Sequence, residues 1–203
     1  MVIAAGESWG DAVPRPDGLR VVADDRALAA QIDADADHAL AVSSGDMFRT
    51  VGARPLGDRA ELVRLPIDVV DIELDGGVTH TAVAHVVARR PWASGGWWRG
   101  QVLAVMNAEY IGPFDVAPRG HPNDGRVETL LIAASMSMRQ RSEVRRRLRN
   151  ASHLPHPLIT TRPVRTHEWV FESAMVIVVD GAPVGRSSSL AVTVRADAAV
   201  LYA

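Results

Sequence analysis

Asn123-Asp124-Gly125 combines a carboxylate with tight-turn residues. It lies in a connection, residues 113–128, between the apolar runs Gln101–Ile111 and Val127–Ala134. Pro113, Pro118 and Pro122 fix φ there, and Gly112, Gly120 and Gly125 permit positive φ. The stretch therefore reads as a structured loop, not a helix or strand. A carboxylate beside freed backbone carbonyls can hold a hard cation. The same residues also make a plain hairpin loop without a ligand, and turn chemistry alone favours that reading.

The strongest charge feature is Arg139, Arg141, Arg145, Arg146, Arg147 and Arg149. On a helix, Arg139, Arg146 and Arg149 share one side, with residues 142 and 145 near it. Such a face suits anionic lipid headgroups or phosphates, or is simply solvated. Nucleic acid fits poorly, because no aromatic residues interleave with the arginines and the net charge is −2. The histidines, among them His38, His80, His85, His121, His153, His156 and His167, show no HExxH-like spacing, which argues against a zinc enzyme. None of Ser43, Ser44, Ser187, Ser188 and Ser189 lies in a G-x-S-x-G elbow. Trp92, Trp97 and Trp98 mark a loop that fits a membrane-contacting edge, an apolar pocket or ordinary packing.

These residues need elements to hold them. Short strands are expected over Val2–Ala5, Leu19–Ala23 and His38–Val42. Helices are expected over 24–36, opened by Asp24 and Asp25, and over 47–51, capped by Ser43-Ser44-Gly45-Asp46. The alternation is that of a parallel α/β unit. From Leu65 the pattern changes to strands: a hairpin over 66–88 turning at Asp75-Gly76-Gly77, then 101–107, 127–134, 155–165, 168–180, 182–185 and 189–195, with 197–202 closing the chain. A basic helix is expected over 135–150, and Asp180-Gly181 reads as a hairpin turn. The fold class is α/β plus β: a reduced nucleotide-binding-like lobe over 1–66 and a β-sandwich lobe over 67–203.

Composition narrows the function. A chain of 203 residues, 47% hydrophobic, can bury a real core. It has no cysteine, so thiol nucleophiles, cysteine zinc sites and disulfides are excluded. It also has no lysine, which excludes a Walker A loop, a protein-kinase fold and a pyridoxal Schiff base. Neither a signal peptide nor a membrane span is evident, so a cytoplasmic protein is expected, one able to touch a membrane surface.

Several segments together resemble the bacterial diacylglycerol kinase and lipid kinase family. Asn107-x-x-Tyr110-x-Gly112, Val116-Ala117-Pro118 and residues 123–128 (NDGRVE) are similar to that family's N-x-x-x-x-G, APxA variant and DDGLLD. Residues 20–28 (RVVADDRAL) stand in the place of VVxGGDGTL, and residues 42–50 (VSSGDMFRT) in the place of GTxNDxART. Residues 67–69, 153–157, 178–183 and 190–198 follow in family order. The resemblance implies a two-lobed lipid kinase or NAD kinase-like fold, and ATP- and Mg2+-dependent phosphorylation of a lipid hydroxyl.

Residue by residue, the resemblance assigns Asp25, Ser43 and Asp46 to nucleotide binding. It assigns a structural Mg2+ to the Asp124 side chain and the backbone carbonyls of His121 and Arg126. Asp25 and Asp180 are the nearest candidates for a catalytic role. The glycines of the ATP loop are replaced by Ala23, Asp24 and Arg26, and its threonine by Ala27. Bare backbone lets a triphosphate approach, whereas Asp24 adds a repelling charge and Arg26 adds bulk. The family's general base falls at Ala182, and Asp180, although near, is expected to point elsewhere. The first expectation is a degenerate kinase kept as a lipid-binding or regulatory protein. The alternatives are a working kinase using Asp25, Asp46 and Asp124, and a structural partner dimerising through a sandwich edge.

Overall fold

The computed structural model describes residues 9–34 and 38–203. The strand expected over Val2–Ala5 and the tail of the first expected helix lie outside them. After β1 (Asp11–Pro14), the chain forms β2 (Arg20–Val22), α1 (Asp25–Asp33), β3 (Leu40–Val42) and α2 (Asp46–Thr50). β2 and β3 pair in parallel, as a βαβ crossover requires. Asp24 begins α1: its backbone is extended and its carboxylate accepts the Ala27 amide at 2.9 Å. Leu28 and Ala29 on that helix bury against Val22, Leu40 and Met47.

The larger lobe follows. Its elements are β4 (Glu61–Leu74), β5 (Val78–Ala82), β6 (His85–Arg89), β7 (Val102–Met106), β8 (Tyr110–Ile111), β9 (Phe114–Asp115), β10 (Val127–Ile132), α3 (Met138–Arg147), β11 (Ile159–Val164), β12 (Thr166–Val179) and β13 (Ala182–Tyr202). The sheet runs β1-β4-β13-β12-β6-β7-β10-β11, with β5 added on β4. Apart from β2–β3 and β3–β13, its pairings are antiparallel. β13 joins the lobes: it pairs along β4 and, at Leu201, in parallel with Leu40 of β3. The architecture is thus the expected small α/β lobe on a mostly β lobe.

β6 and β7 are buried along their whole length. Val86, Ala88, Leu103 and Val105 face the inside of the folded sheet, while Val87, Val102, Ala104 and Met106 face α3 and its flanking loops. Burial on both faces explains why β7 reads as an unbroken apolar run.

Two expectations are corrected in detail. Residues 78–88 are not one strand, because the chain breaks at Val83-Ala84 and exchanges partner β4 for β7 and β12. Side chains satisfy the backbone at the break. Asp180 accepts the amides of Val83, Ala84 and His85, each at 2.9 Å, and Asn107 Nδ2 donates to Val83 O at 2.8 Å. His80 and His85 therefore sit on different strands. The two strands expected after Gly181 and the closing segment 197–202 are the single strand β13. Its interruptions are irregularities, one near Gly185 and one between Arg195 and Ala199, where Asp197 has φ 53°.

Candidate functional site

Carboxylates crowd the seam, or cleft, where α1 and α2 meet the β8–β9 hairpin and the β12–β13 turn. Asp25, the first residue of α1, points at the start of α2. Its carboxylate accepts the Asp46 amide at 2.6 Å and the Met47 amide at 3.1 Å. It lies against Gly45, where a Cβ would come within 2.5 Å of the carboxylate; φ there is 113°, which favours glycine. Asp46 reaches the other way, with Oδ1 accepting the Gly112 amide at 2.8 Å. Arg49 donates to Gly112 O at 2.7 Å and stacks over Tyr110 at 3.8 Å. The β8–β9 hairpin is thereby fastened to α2.

Crowding of acidic groups shifts their protonation. Burial, together with the Asp180 and Asp46 charges and against the amides it accepts, raises Asp25 to about 7. Burial likewise raises Asp180 to about 6, and it raises Asp46. Buried His85 is pushed down to about 4, so its imidazole is neutral at pH 7. Its Nδ1 lies 3.3 Å from Asp46 Oδ2 without hydrogen-bond alignment.

The residues assigned to a nucleotide are accordingly engaged with the protein itself. Ser43 donates to the carbonyls of Val22 and Ala23, and Ser44 donates to Ala23. Asp25 holds the two leading amides of α2, and Asp24 holds an amide of α1. These are the groups an anion would use at a helix start. Asp180, at φ 45° with Gly181 at 80°, makes the expected tight turn. Its carboxylate is turned inward onto the amides of residues 83–85. This arrangement does not fit a triphosphate.

The Asn123-Asp124-Gly125 turn is knit around Asp68, a residue that sequence reasoning did not single out. Asp68 is fully buried and accepts the Gly125 amide at 2.6 Å and the Asp197 amide at 2.9 Å. Asn123 Nδ2 donates to Asp197 at 2.9 Å. Asp124 Oδ1 accepts the Arg126 amide at 3.0 Å, and the His121 carbonyl accepts the Asp124 amide at 3.4 Å. Burial raises Asp68, and the neighbouring Asp124 and Asp197 charges add to the rise. The second oxygen of Asp124 and the nearby carbonyls are hard donors of the kind Mg2+ takes. Among the described residues, no three acidic or histidine side chains converge as a metal site.

A cavity of about 410 Å3 lies on the other side of the β8–β9 hairpin. Its walls are the Trp92–Trp98 loop, the hairpin itself, β7, β10 and α3. Trp97, Trp98, Phe114, Leu130 and Val144 make it predominantly apolar. Arg141 closes the construction. Although buried, it donates from Nε to Met136 O at 3.0 Å, from Nη1 to Trp97 O at 2.9 Å, and from Nη2 to Gly100 O and Ala133 O. The guanidinium fork pins the tryptophan loop to α3 through carbonyls alone, and burial lowers its pKa. The sequence signal for this was available: Arg141, Val144 and Leu148 fall on one helical stripe facing inward.

The expected arginine face is divided. Arg146 and Arg147 pair with Glu143 at 2.8 and 2.7 Å. Arg139 is exposed near the start of α3. Arg145 and Arg149 instead lean over Phe114, at 5.5 and 5.7 Å from its ring.

No protein-family model matches the sequence, and no curated protein matches it. Solved structures do. A chain described as "a putative diacylglycerol kinase from Bacillus anthracis str. Sterne" superposes with a TM-score of 0.64 at 11% identity, over 91% of this chain and 77% of that one. A second crystal structure of such a protein from the same organism gives 0.65 at 11% identity, with the same coverage. A third, described as a diacylglycerol kinase from that organism, gives 0.59 at 13% identity, over 91% and 75%. At these identities the likeness establishes the fold.

Proposed function

We propose, from the premise that this chain has a diacylglycerol kinase-like fold, that it is a lipid-binding or regulatory homologue of the lipid kinases without phosphotransfer activity of its own. The observation that carries this reading is an apolar cavity in a chain whose cleft amides are already bonded to its own carboxylates. Phosphoryl transfer needs backbone and cationic groups directed at the phosphates and a positioned base for the hydroxyl. Here the loop is acidic, and residue 182, where the resemblance puts the base, is alanine. Asp180, the nearest carboxylate in sequence, is held by three amides.

The cavity accounts for the other half of the reading. Small-molecule pockets are mostly apolar and of about 300–1,000 Å3. Trp92 and Met138, at 63% and 55% exposure, are large apolar groups open to a bilayer surface. No helix among the described residues is long and apolar enough to cross a membrane. Contact with an anionic membrane would therefore be peripheral. Mg2+ at Asp124, with the carbonyls of His121 and Arg126, would have a structural role in the turn.

Two measurements test this together. Native mass spectrometry should find a displaceable lipid on the purified protein, absent from an Ala104→Phe variant whose cavity is filled. Radiolabelled ATP with Mg2+ and mixed membrane lipids should give no labelled lipid, and ATP should not change the melting temperature. A nucleotide-induced rise of several degrees, lost in Asp25→Asn, would instead favour a working kinase using Asp25, Asp46 and Asp124, and labelled lipid would establish it.

A further inference from the structure

We infer that the cavity's ligand is a single-chain amphiphile with an anionic head, carboxylate or phosphate, gripped by Arg145 and Arg149. The inference rests on the lipid-binding reading above and adds the chemical class. Arg145 lines the cavity, and Arg149 shares its aromatic edge at Phe114. Arg145 also lies 6.0 Å from the Trp98 ring. Neither arginine has a carboxylate partner among the described residues. The one acid of α3, Glu143, is taken by Arg146 and Arg147.

Arg145 lies in the last turn of α3 and Arg149 in the short 3-10 turn that continues it, and both guanidinium groups lie near the Phe114 ring, two like charges with no anion between them. Contact with Phe114 and, for Arg145, with Trp98 brings both guanidinium groups to one edge of the cavity without neutralising them. Two such forks at one edge of an apolar chamber match an oxyanion attached to a hydrocarbon tail. A cationic head would be repelled, and a neutral head would leave both charges unanswered. The cavity's size is near the lower end for small-molecule sites, which suits one chain better than a two-chain glyceride.

The test is a titration, followed by tryptophan fluorescence and calorimetry below micelle-forming concentrations. The probes share one chain length: dodecanoate, dodecyl phosphate, monododecanoylglycerol and the matching lysophosphatidylcholine. Inorganic phosphate is run alone. The expected result is at least tenfold tighter binding of either anion than of the neutral probe, weakening with salt. In the R145Q/R149Q double variant the anions should fall to the neutral probe's affinity, while the neutral probe is unchanged. Dodecanoate against dodecyl phosphate tells which acid is preferred. Equal binding of all heads, unaltered in R145Q/R149Q, overturns the head assignment and leaves the cavity reading intact. No binding of any amphiphile overturns both. Phosphate binding as tightly as dodecyl phosphate overturns the assignment as well, because the chain would then contribute nothing. Circular dichroism confirms that the variants, altered only at exposed positions, remain folded.

Discussion

The β8–β9 hairpin has the carboxylate cleft on one side and the apolar cavity on the other. Toward the cleft, Gly112 gives its amide to Asp46 and its carbonyl to Arg49. Toward the cavity, Ile111, Pro113 and Phe114 present hydrocarbon. The cleft's donors and acceptors are largely matched to one another, so a ligand entering it would have to break protein bonds first. The cavity has a wall with little to satisfy and a rim with two unanswered charges. A site is open to ligand when its groups lack internal partners, and that criterion separates the two regions more sharply than charge does.

Four experiments would break or sharpen the contrast. The largest effect is expected from Arg141→Met, which deprives four carbonyls, two buried and two half-buried, of their donor and releases the tryptophan loop. The loss should be about 3 kcal/mol, a melting temperature lower by about 10 °C, with amphiphile binding abolished. Retained binding would mean that the cavity does not depend on this clamp. Next is Gly45→Ala. A Cβ at φ 113°, 2.5 Å from the Asp25 carboxylate, should cost about 2 kcal/mol in urea unfolding and leave the cavity's affinity unchanged. A neutral result would show that Asp25 is not packed as firmly as the cleft requires.

The third is a pH profile. Asp25 rises from an ordinary 3.8 to about 7 in the folded protein, so between those values the native state binds more protons than the unfolded chain. Its contribution is full below about 4 and is lost as pH rises through about 7. Asp180 acts in the same sense up to about 6. His85, lowered from 6.5 to about 4, acts in the opposite sense, its contribution growing with pH across that interval. The difference between wild type and Asp25→Asn isolates the Asp25 share. Relative to the variant, wild-type stability should fall from pH 4 to pH 7; a flat profile would show that the carboxylate is charged throughout. The smallest effect belongs to Arg146→Gln. An exposed pair with Glu143 is screened by solvent, so the denaturation midpoint and anion binding should both be unaltered, as chemical denaturation and the same titrations would show.

Much of this was legible in the chain. Val102–Met106 read as a strand because burial on both faces leaves an apolar run, and Val127–Ile132 because its valine, leucine and isoleucine side chains are in large part covered. Asp180-Gly181 read as a tight turn because the two residues accept positive φ. Less legible was the break at Val83-Ala84, whose amides depend on Asp180, almost 100 residues later. Asp68 read only as part of a strand, since nothing local says that its carboxylate will meet Gly125 and Asp197.

By itself the sequence determined the local preferences: where strands and turns fall, the absence of lysine and cysteine chemistry, and the acidic, glycine-free character of residues 23–26. Those follow from side-chain volume, φ preference and functional-group type, which are properties of a residue and its near neighbours. Tertiary structure alone decided which arginines are clamped, paired or unanswered. It also decided that loop 92–98, hairpin 110–115, β10 and α3 enclose one space. Partner choice depends on distances between segments remote in the chain, and a guanidinium carries the same charge whether it meets a carbonyl, a carboxylate or solvent.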